Sequence, residues 1–259
     1  MGIRIPSVFV SHGSPAMLLG ESPVGAFLEG LGDALPPVRA VLCVSAHWET
    51  MVPTLATTPN PETIHDFHGF PDALYRVRYP APGAPQIAAR ACRLIHDAGL
   101  ECAVSETRGL DHGAWASLKL MYASTHVPVS QCSIQHERGP AGAYALGRAL
   151  APLRAEGVLV LASGGAVHNL RFFRPGADDV PDWARRFDDW LRQMLEAGDV
   201  DALLDYRARA PDAQAAHPRD EHLLPLFAAL GAGGAGAKAR ALHRGFMDGA
   251  LGMAAFAFD

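Results

Sequence analysis

The chain has 259 residues and a mass of 27.5 kDa, the size of one large α/β domain. At 49% hydrophobic and 19% charged residues it can bury a substantial core, which excludes a disordered or fibrous protein. The balance of 22 Lys and Arg against 27 Asp and Glu leaves a net charge of −5, with the arginines scattered singly, so no nucleic-acid partner is expected.

Short β-branched runs alternate with longer helical segments, the pattern of a single α/β domain, residues 1–259, with a central, largely parallel or mixed sheet. Strands are expected at Ser7–Val10, Ala40–Ser45, Glu101–Ser105, Val127–Ser133, Val158–Ala162 and Met253–Phe258. Helices are expected between them, at Ser22–Gly30, where Ser-Pro supplies an N-cap and first-turn pair, and at Ala84–Ala98, Ala114–Tyr122, Ala141–Ala155, Pro181–Ala197 and Glu221–Leu230. Residues 53–83, rich in proline and carrying His65-Asp-Phe-His-Gly-Phe-Pro71, read as a loop packed over something, such as a lid. Gly231–Lys238 reads as a flexible surface loop. Apolar runs such as Val158–Ala162 fall far short of the ~20 residues of a membrane span, and the first residues hold no export segment, so a soluble, cytoplasmic protein with no membrane partner is expected. Cys43, Cys92, Cys102 and Cys132 stand far apart without a C-x-x-C pair and read as buried, reduced thiols.

Twelve histidines are unusually many, and their placement matters more than their number. His12, His47 and His168 each fall at or just beyond the carboxyl end of an expected parallel strand, the edge at which open α/β sheets bind ligands. Three imidazoles at one edge suit Zn, Fe, Cu or Ni. Ala216–Leu226 opens an apolar helix and offers His217, Glu221 or His222 to the same site; spacing does not choose among them. His112 precedes another helix beside Asp111 and reads as an acid/base candidate or an ordinary cap. Nucleophile elbow, Walker loop, H-E-x-x-H helix and dinucleotide fingerprint are all absent from the sequence. Ser11, Ser14 and Ser163 read as turn and cap residues rather than nucleophiles.

Six motifs taken together, Ser11-His-Gly-Ser-Pro15, Ser45-Ala-His-Trp48, the segment Ile64–Pro71 with Tyr79-Pro-Ala-Pro-Gly83, Leu110-Asp-His-Gly-Ala-Trp115, Ala162–Leu170 and His217–Pro225, resemble the class III extradiol ring-cleaving dioxygenases, in the DOPA 4,5-dioxygenase branch. The resemblance implies one divalent metal per chain, Fe(II) for oxygenase activity with Zn(II) able to enter the same site. Carried over by position, it implies His12, His47 and His222 as metal ligands, His168 as a further ligand or an acid/base, and His112 in the substrate cavity, with Glu221 a competitor to His222. It further implies O₂ and a small aromatic diol as substrates. Trp48, Phe67, Phe70, Tyr75 and Trp115 are candidates for lining a ring-sized pocket, and Arg76, Arg78 or Arg171 for holding a substrate carboxylate. The same cluster would also serve a zinc hydrolase, in which the metal lowers the pKa of a bound water to ~7, or a non-catalytic metal-binding module.

Overall fold

The computed structural model describes residues 4–259. In chain order the strands are β1 (Ser7–Ser11), β2 (Ala40–Glu49), β3 (Thr54–Ala56), β4 (Ala103–Ser105), β5 (Val129–Ile134), β6 (Val158–Gly164), β7 (Ala239–His243), β8 (Phe246–Met247), β9 (Leu251–Gly252) and β10 (Ala255–Phe258). The helices are α1 (Pro23–Ala34), α2 (Asp72–Tyr75), α3 (Pro85–Asp97), α4 (His112–Met121), α5 (Gly139–Leu150), α6 (Asp182–Ala197), α7 (Val200–Leu204), α8 (Tyr206–Arg209), α9 (Ala213–Ala216) and α10 (Leu224–Gly233).

Eight strands form one sheet in the order β4-β3-β5-β2-β6-β1-β10-β7, and β8 and β9 form a separate small hairpin. The centre of the sheet, β5-β2-β6-β1, is parallel, whereas β3 runs antiparallel to β5 and β10 antiparallel to β1. The expected mixed α/β architecture is therefore the one observed. Strand side chains alternate across the sheet with period two. Val8, Val10, Val41, Cys43, Leu159 and Leu161 share one core with α1 and α4, while Phe9, Leu42, Val44, Val158, Val160 and Ala162 share the other with α3, α5, α6 and α10. Each of the fully buried Val, Leu and Phe side chains among these stabilises the fold by ~1.5–3 kcal/mol relative to exposure. Buried Arg154 ties the entry of β1 to the end of α10, donating to the carbonyls of Ile5, Ala232 and Gly233.

Several expected boundaries move. Strand β2 continues to Glu49, so His47 lies within it, and α4 begins at His112 rather than at Ala114. The stretch 53–83 contains β3 and α2, and β7 has no counterpart among the expected strands. The Gly/Ala tract is corrected more substantially: Gly231, Ala232 and Gly233 are the buried last turn of α10, not a surface loop. Their smallness is what places them there. A Cβ on Gly231 would lie 2.2 Å from the Tyr144 carbonyl oxygen, and one on Gly147 of α5 would lie 2.0 Å from that of Ala228, so the two helices touch backbone to backbone. Cysteines 43 and 132 are buried and free as expected, but Cys92 and Cys102 are joined in a disulfide. The left-handed turn at Gly99 folds the chain back after α3 and brings their Cα atoms to 5.7 Å, within disulfide reach. No helix among the described residues is long and apolar enough to cross a membrane.

The helix contact yields a paired expectation. Gly147→Ala should lower the unfolding free energy by about 2–4 kcal/mol, through a clash that neither helix can relieve. Gly30→Ala, at an exposed position of α1 where a Cβ meets nothing within 4 Å, should raise it by about 0.5–1 kcal/mol. Urea unfolding of the two variants decides the matter, and equal midpoints would refute the contact.

Candidate metal centre

Parallel pairing of β1 with β6 sets Ser11 beside Gly164, and the His12 amide then bonds the Gly164 carbonyl at 3.0 Å. On the other side of β6, β2 pairs Ser45 with Ser163, leaving His47 just past the register. The segments 164–168 and 216–222 are laced together: Gly165 N–H donates to the His222 carbonyl at 2.8 Å and His168 N–H to that of Ala216 at 3.0 Å. Buried His217 gives its Nε2 proton to the Ala166 carbonyl at 3.0 Å. Residue 164 must be glycine, because a Cβ there would lie 2.1 Å from the His222 carbonyl oxygen. Helix α4 is fixed by its N-cap, Asp111, which accepts from Ala114 N–H, Ser45 Oγ–H, Arg108 and Gln131.

These contacts bring His12, His47, His112, His168 and His222 to the floor of a cavity of about 650 Å³. The rings of His12, His47 and His222 are 4.9–5.3 Å apart. His112 sits 4.0 Å from His47, and His168 stacks on His222 at 3.5 Å. One ligand atom each from His12, His47 and His222 lies within 4.8 Å of the others, the closest approach being 3.0 Å between the Nε2 atoms of His12 and His47. A cation between them is the simplest occupant of that space.

The outer nitrogens support this. Ser163 Oγ gives its only proton to the Gly113 carbonyl, so it accepts from His12 Nδ1–H at 2.9 Å, leaving the His12 Nε2 lone pair directed inward. Glu221 accepts from His222 Nδ1–H at 2.9 Å, and the Asp66 carboxylate lies 3.4 Å from His47 Nδ1. Outward donation from Nδ1 is how metal-binding imidazoles are oriented. Asp66 also accepts from His112 Nδ1–H and from the His112 backbone N–H, each at 2.9 Å. Burial, then the neighbouring imidazoles, holds His12 and His222 well below the usual histidine range, and burial brings His47 and His168 down to about 4. These four imidazoles are thus neutral at pH 7, the form that ligates metals.

Several of the expected participants lie elsewhere. His217 is committed to the Ala166 carbonyl, and burial brings it down to about 3, so it braces the loop. The three arginines considered for a substrate carboxylate, Arg76, Arg78 and Arg171, are exposed and do not line the cavity. Of the aromatic candidates, Phe67 and Phe70 line it; Trp115 and Tyr75 pack behind Phe67, and Trp48 lies under Arg108. Asp66 and Ser163 were not singled out as site residues from sequence, although Asp66 sits in the aromatic segment read as a lid.

The chain matches the family described as the catalytic LigB subunit of aromatic ring-opening dioxygenase over residues 9–257. It is 41% identical over 257 residues to the 4,5-DOPA dioxygenase extradiol of Portulaca grandiflora, covering 97% of this chain and 95% of that protein. With the protein of the same name from Beta vulgaris it shares 40% identity over 254 residues, covering 96% and 95%. With the one from Escherichia coli K12 it shares 38% over 233 residues, covering 88% and 85%. The fold aligns with the crystal structure of an uncharacterised Escherichia coli K12 protein at a TM-score of 0.83 and 32% identity, covering 99% of this chain and 100% of that one. The protein belongs to the LigB family of aromatic ring-opening dioxygenases. It is accordingly an extradiol ring-cleaving oxidoreductase, and the hydrolase and binding-module readings of the cluster fall away.

The depressed histidines carry a pH consequence. In the unfolded chain they titrate near 6.5, whereas in the fold His47 and His168 do so near 4. Between these values the unfolded state binds more protons, so stability is retained above about pH 6.5 and lost as the pH falls toward 4. The urea midpoint of metal-free protein should therefore drop steadily from pH 7 to 4.5; a flat profile would contradict the burial of these imidazoles.

Proposed function

We propose that His12, His47 and His222 hold one divalent metal, that His112 and His168 act on substrate protons, and that the substrate is a catechol carrying a side chain, of the DOPA type named for the relatives. The observation that carries this reading is the convergence of ligand atoms of His12, His47 and His222, the first and last bonded outward through Nδ1 and His47 facing the Asp66 carboxylate, on the floor of a largely apolar cavity. Glu221 is read as the acceptor for His222 rather than as a ligand, since its Oε1 is engaged by Nδ1. The donor set fits iron(II) and zinc(II) alike; iron is the metal proposed for the reaction. When bound, iron(II) supplies the open coordination positions and redox chemistry that permit a closed-shell aromatic diol to react with O₂.

The chain's own residues handle binding and protons. Phe67, Phe70, Leu251 and Met253 offer apolar surface to an aromatic ring. Because His112 gives its Nδ1 proton to Asp66, its Nε2 is the nitrogen left to accept a catechol hydroxyl proton. His168 has no such carboxylate tether in the structure and stacks on His222, placed to hold or return a proton on the opposite side of the cluster. The overall reaction joins one catechol and one O₂ in a ring-opened hydroxymuconic semialdehyde containing both oxygen atoms.

Iron-loaded protein should consume one O₂ per catechol and, under ¹⁸O₂, yield a product two labelled oxygens heavier, apart from exchange of the aldehyde oxygen with water. No O₂ uptake across a broad catechol panel would overturn the substrate reading. His112→Phe should keep full metal by elemental analysis while losing about 10²–10⁴-fold in turnover. His12→Ala and His222→Gln should instead lose the metal, and metal retained in either removes that residue from the ligand set.

A further inference from the structure

The cavity above the histidines is unevenly charged. Among the described residues, no Lys or Arg lines it; its only formally charged side chains are Asp66 and Asp248. Asp66 is engaged by His47 and His112. Asp248 is not part of the histidine cluster. It follows β8, in the turn of the β8–β9 hairpin, whose far strand is anchored beside the cluster by Gly252 N–H donating to the Val167 carbonyl at 3.0 Å, one residue before His168. Leu251 and Gly252 are buried whereas Asp248 is half-buried, so among these lining residues Asp248 lies nearest the cavity mouth.

The carboxylate is held in place. Asp248 has φ +52°, a left-handed conformation that few non-glycine residues adopt, and its Oδ1 accepts from Gly176 N–H at 2.8 Å while its carbonyl accepts from Arg174 N–H at 2.8 Å. No side-chain cation pairs with it among the described residues. The Arg174 guanidinium, which lies beside Gly249, donates to the carboxylate and carbonyl of Asp179 instead. A preoriented anion with no paired cation, at the mouth of a pocket that no Lys or Arg lines, is an incomplete ion pair.

We infer that Asp248 is a specificity residue that receives the side-chain ammonium of the catechol and disfavours a catechol whose side chain carries only a carboxylate. This rests on the proposed ring-opening at the same cavity. With the diol at the histidines, a two-carbon side chain points away from them, and its terminal charge is what differs among small catechols. An ammonium there gains a charge-assisted hydrogen bond to the free Oδ2, while a carboxylate meets like charge with no Lys or Arg in the cavity lining to offset it. The amine-to-acid preference contains both the attraction and the repulsion, so it exceeds what one half-exposed ion pair contributes.

The test separates binding from turnover. Isothermal calorimetry of iron-loaded protein under argon, with dopamine and with 3-(3,4-dihydroxyphenyl)propanoate, reads the preference without any oxygen chemistry. The wild-type protein should bind the amine at least about tenfold more tightly, and Asp248→Asn should cut that ratio by about tenfold, equivalent to about 1.4 kcal/mol. Asparagine tolerates the left-handed conformation and keeps an acceptor for Gly176 N–H, so the variant should fold. Equal affinities in the wild type, or a ratio unchanged by the substitution, overturns the inference even if both compounds are cleaved. A preserved binding preference without O₂ uptake would instead overturn the ring-opening reading and leave Asp248 as the ammonium site.

Discussion

Five imidazoles are crowded to ring separations as short as 3.5–5.4 Å, and the rest of the site follows from the burial that keeps four of them, His12, His47, His168 and His222, uncharged. Protonating any one of them would place a cation among its neighbours in a buried setting, at a cost that grows as the effective dielectric falls. A neutral imidazole keeps one N–H and one lone pair, so the remaining question is which nitrogen holds the proton. Ser163 and Glu221 decide it from outside for His12 and His222, by accepting at Nδ1, and the Asp66 carboxylate does so at His112 while facing His47 Nδ1 at 3.4 Å. The inward lone pairs of His12, His112 and His222 therefore depend on partners lying farther from the centre.

The fold supplies those partners by juxtaposing parallel strands. Because β6 lies between β1 and β2, its end carries Ser163 to His12, and the glycines that follow let the backbone of 164–165 press against that of His222. A side chain at 164 would separate the two segments and take His222 out of line. The metal site is thus held by sheet register and backbone contact rather than by the reach of long side chains, which suits a reaction sensitive to small displacements.

Much of this was legible in the sequence. Strong β-branched runs announced the four central parallel strands, and the histidines at their ends identified the working edge. What the chain did not reveal locally were features that depend on distant partners. The β3 and β7 strands are short and only partly apolar, and they exist because a neighbouring strand offers a ladder. The glycines of 231–233 look like loop residues until α5 lies across them. Cys92 and Cys102 become partners only because a glycine turn reverses the chain after α3. Ser163 reads as a turn residue until His12 is beside it.

Asp66 shows the same dependence with a direct bearing on chemistry. It stands on an irregular segment with neither strand nor helix around it, yet its two carboxylate oxygens face the Nδ1 atoms of a proposed metal ligand, His47, and of a proposed acid/base, His112. The bond from the His112 backbone N–H fixes one of those oxygens at the start of α4, so the carboxylate cannot follow His47 without leaving His112. Although burial alone would push its carboxyl up, bonding and proximity to His112 and then His47 bring it down to about 2, so it stays an anion while doing both tasks. A single loop residue therefore ties the orientation of the metal site to that of the proton acceptor. Because Phe67, next in the chain, is part of the cavity wall, movement of this segment on substrate entry would be felt at both histidines together.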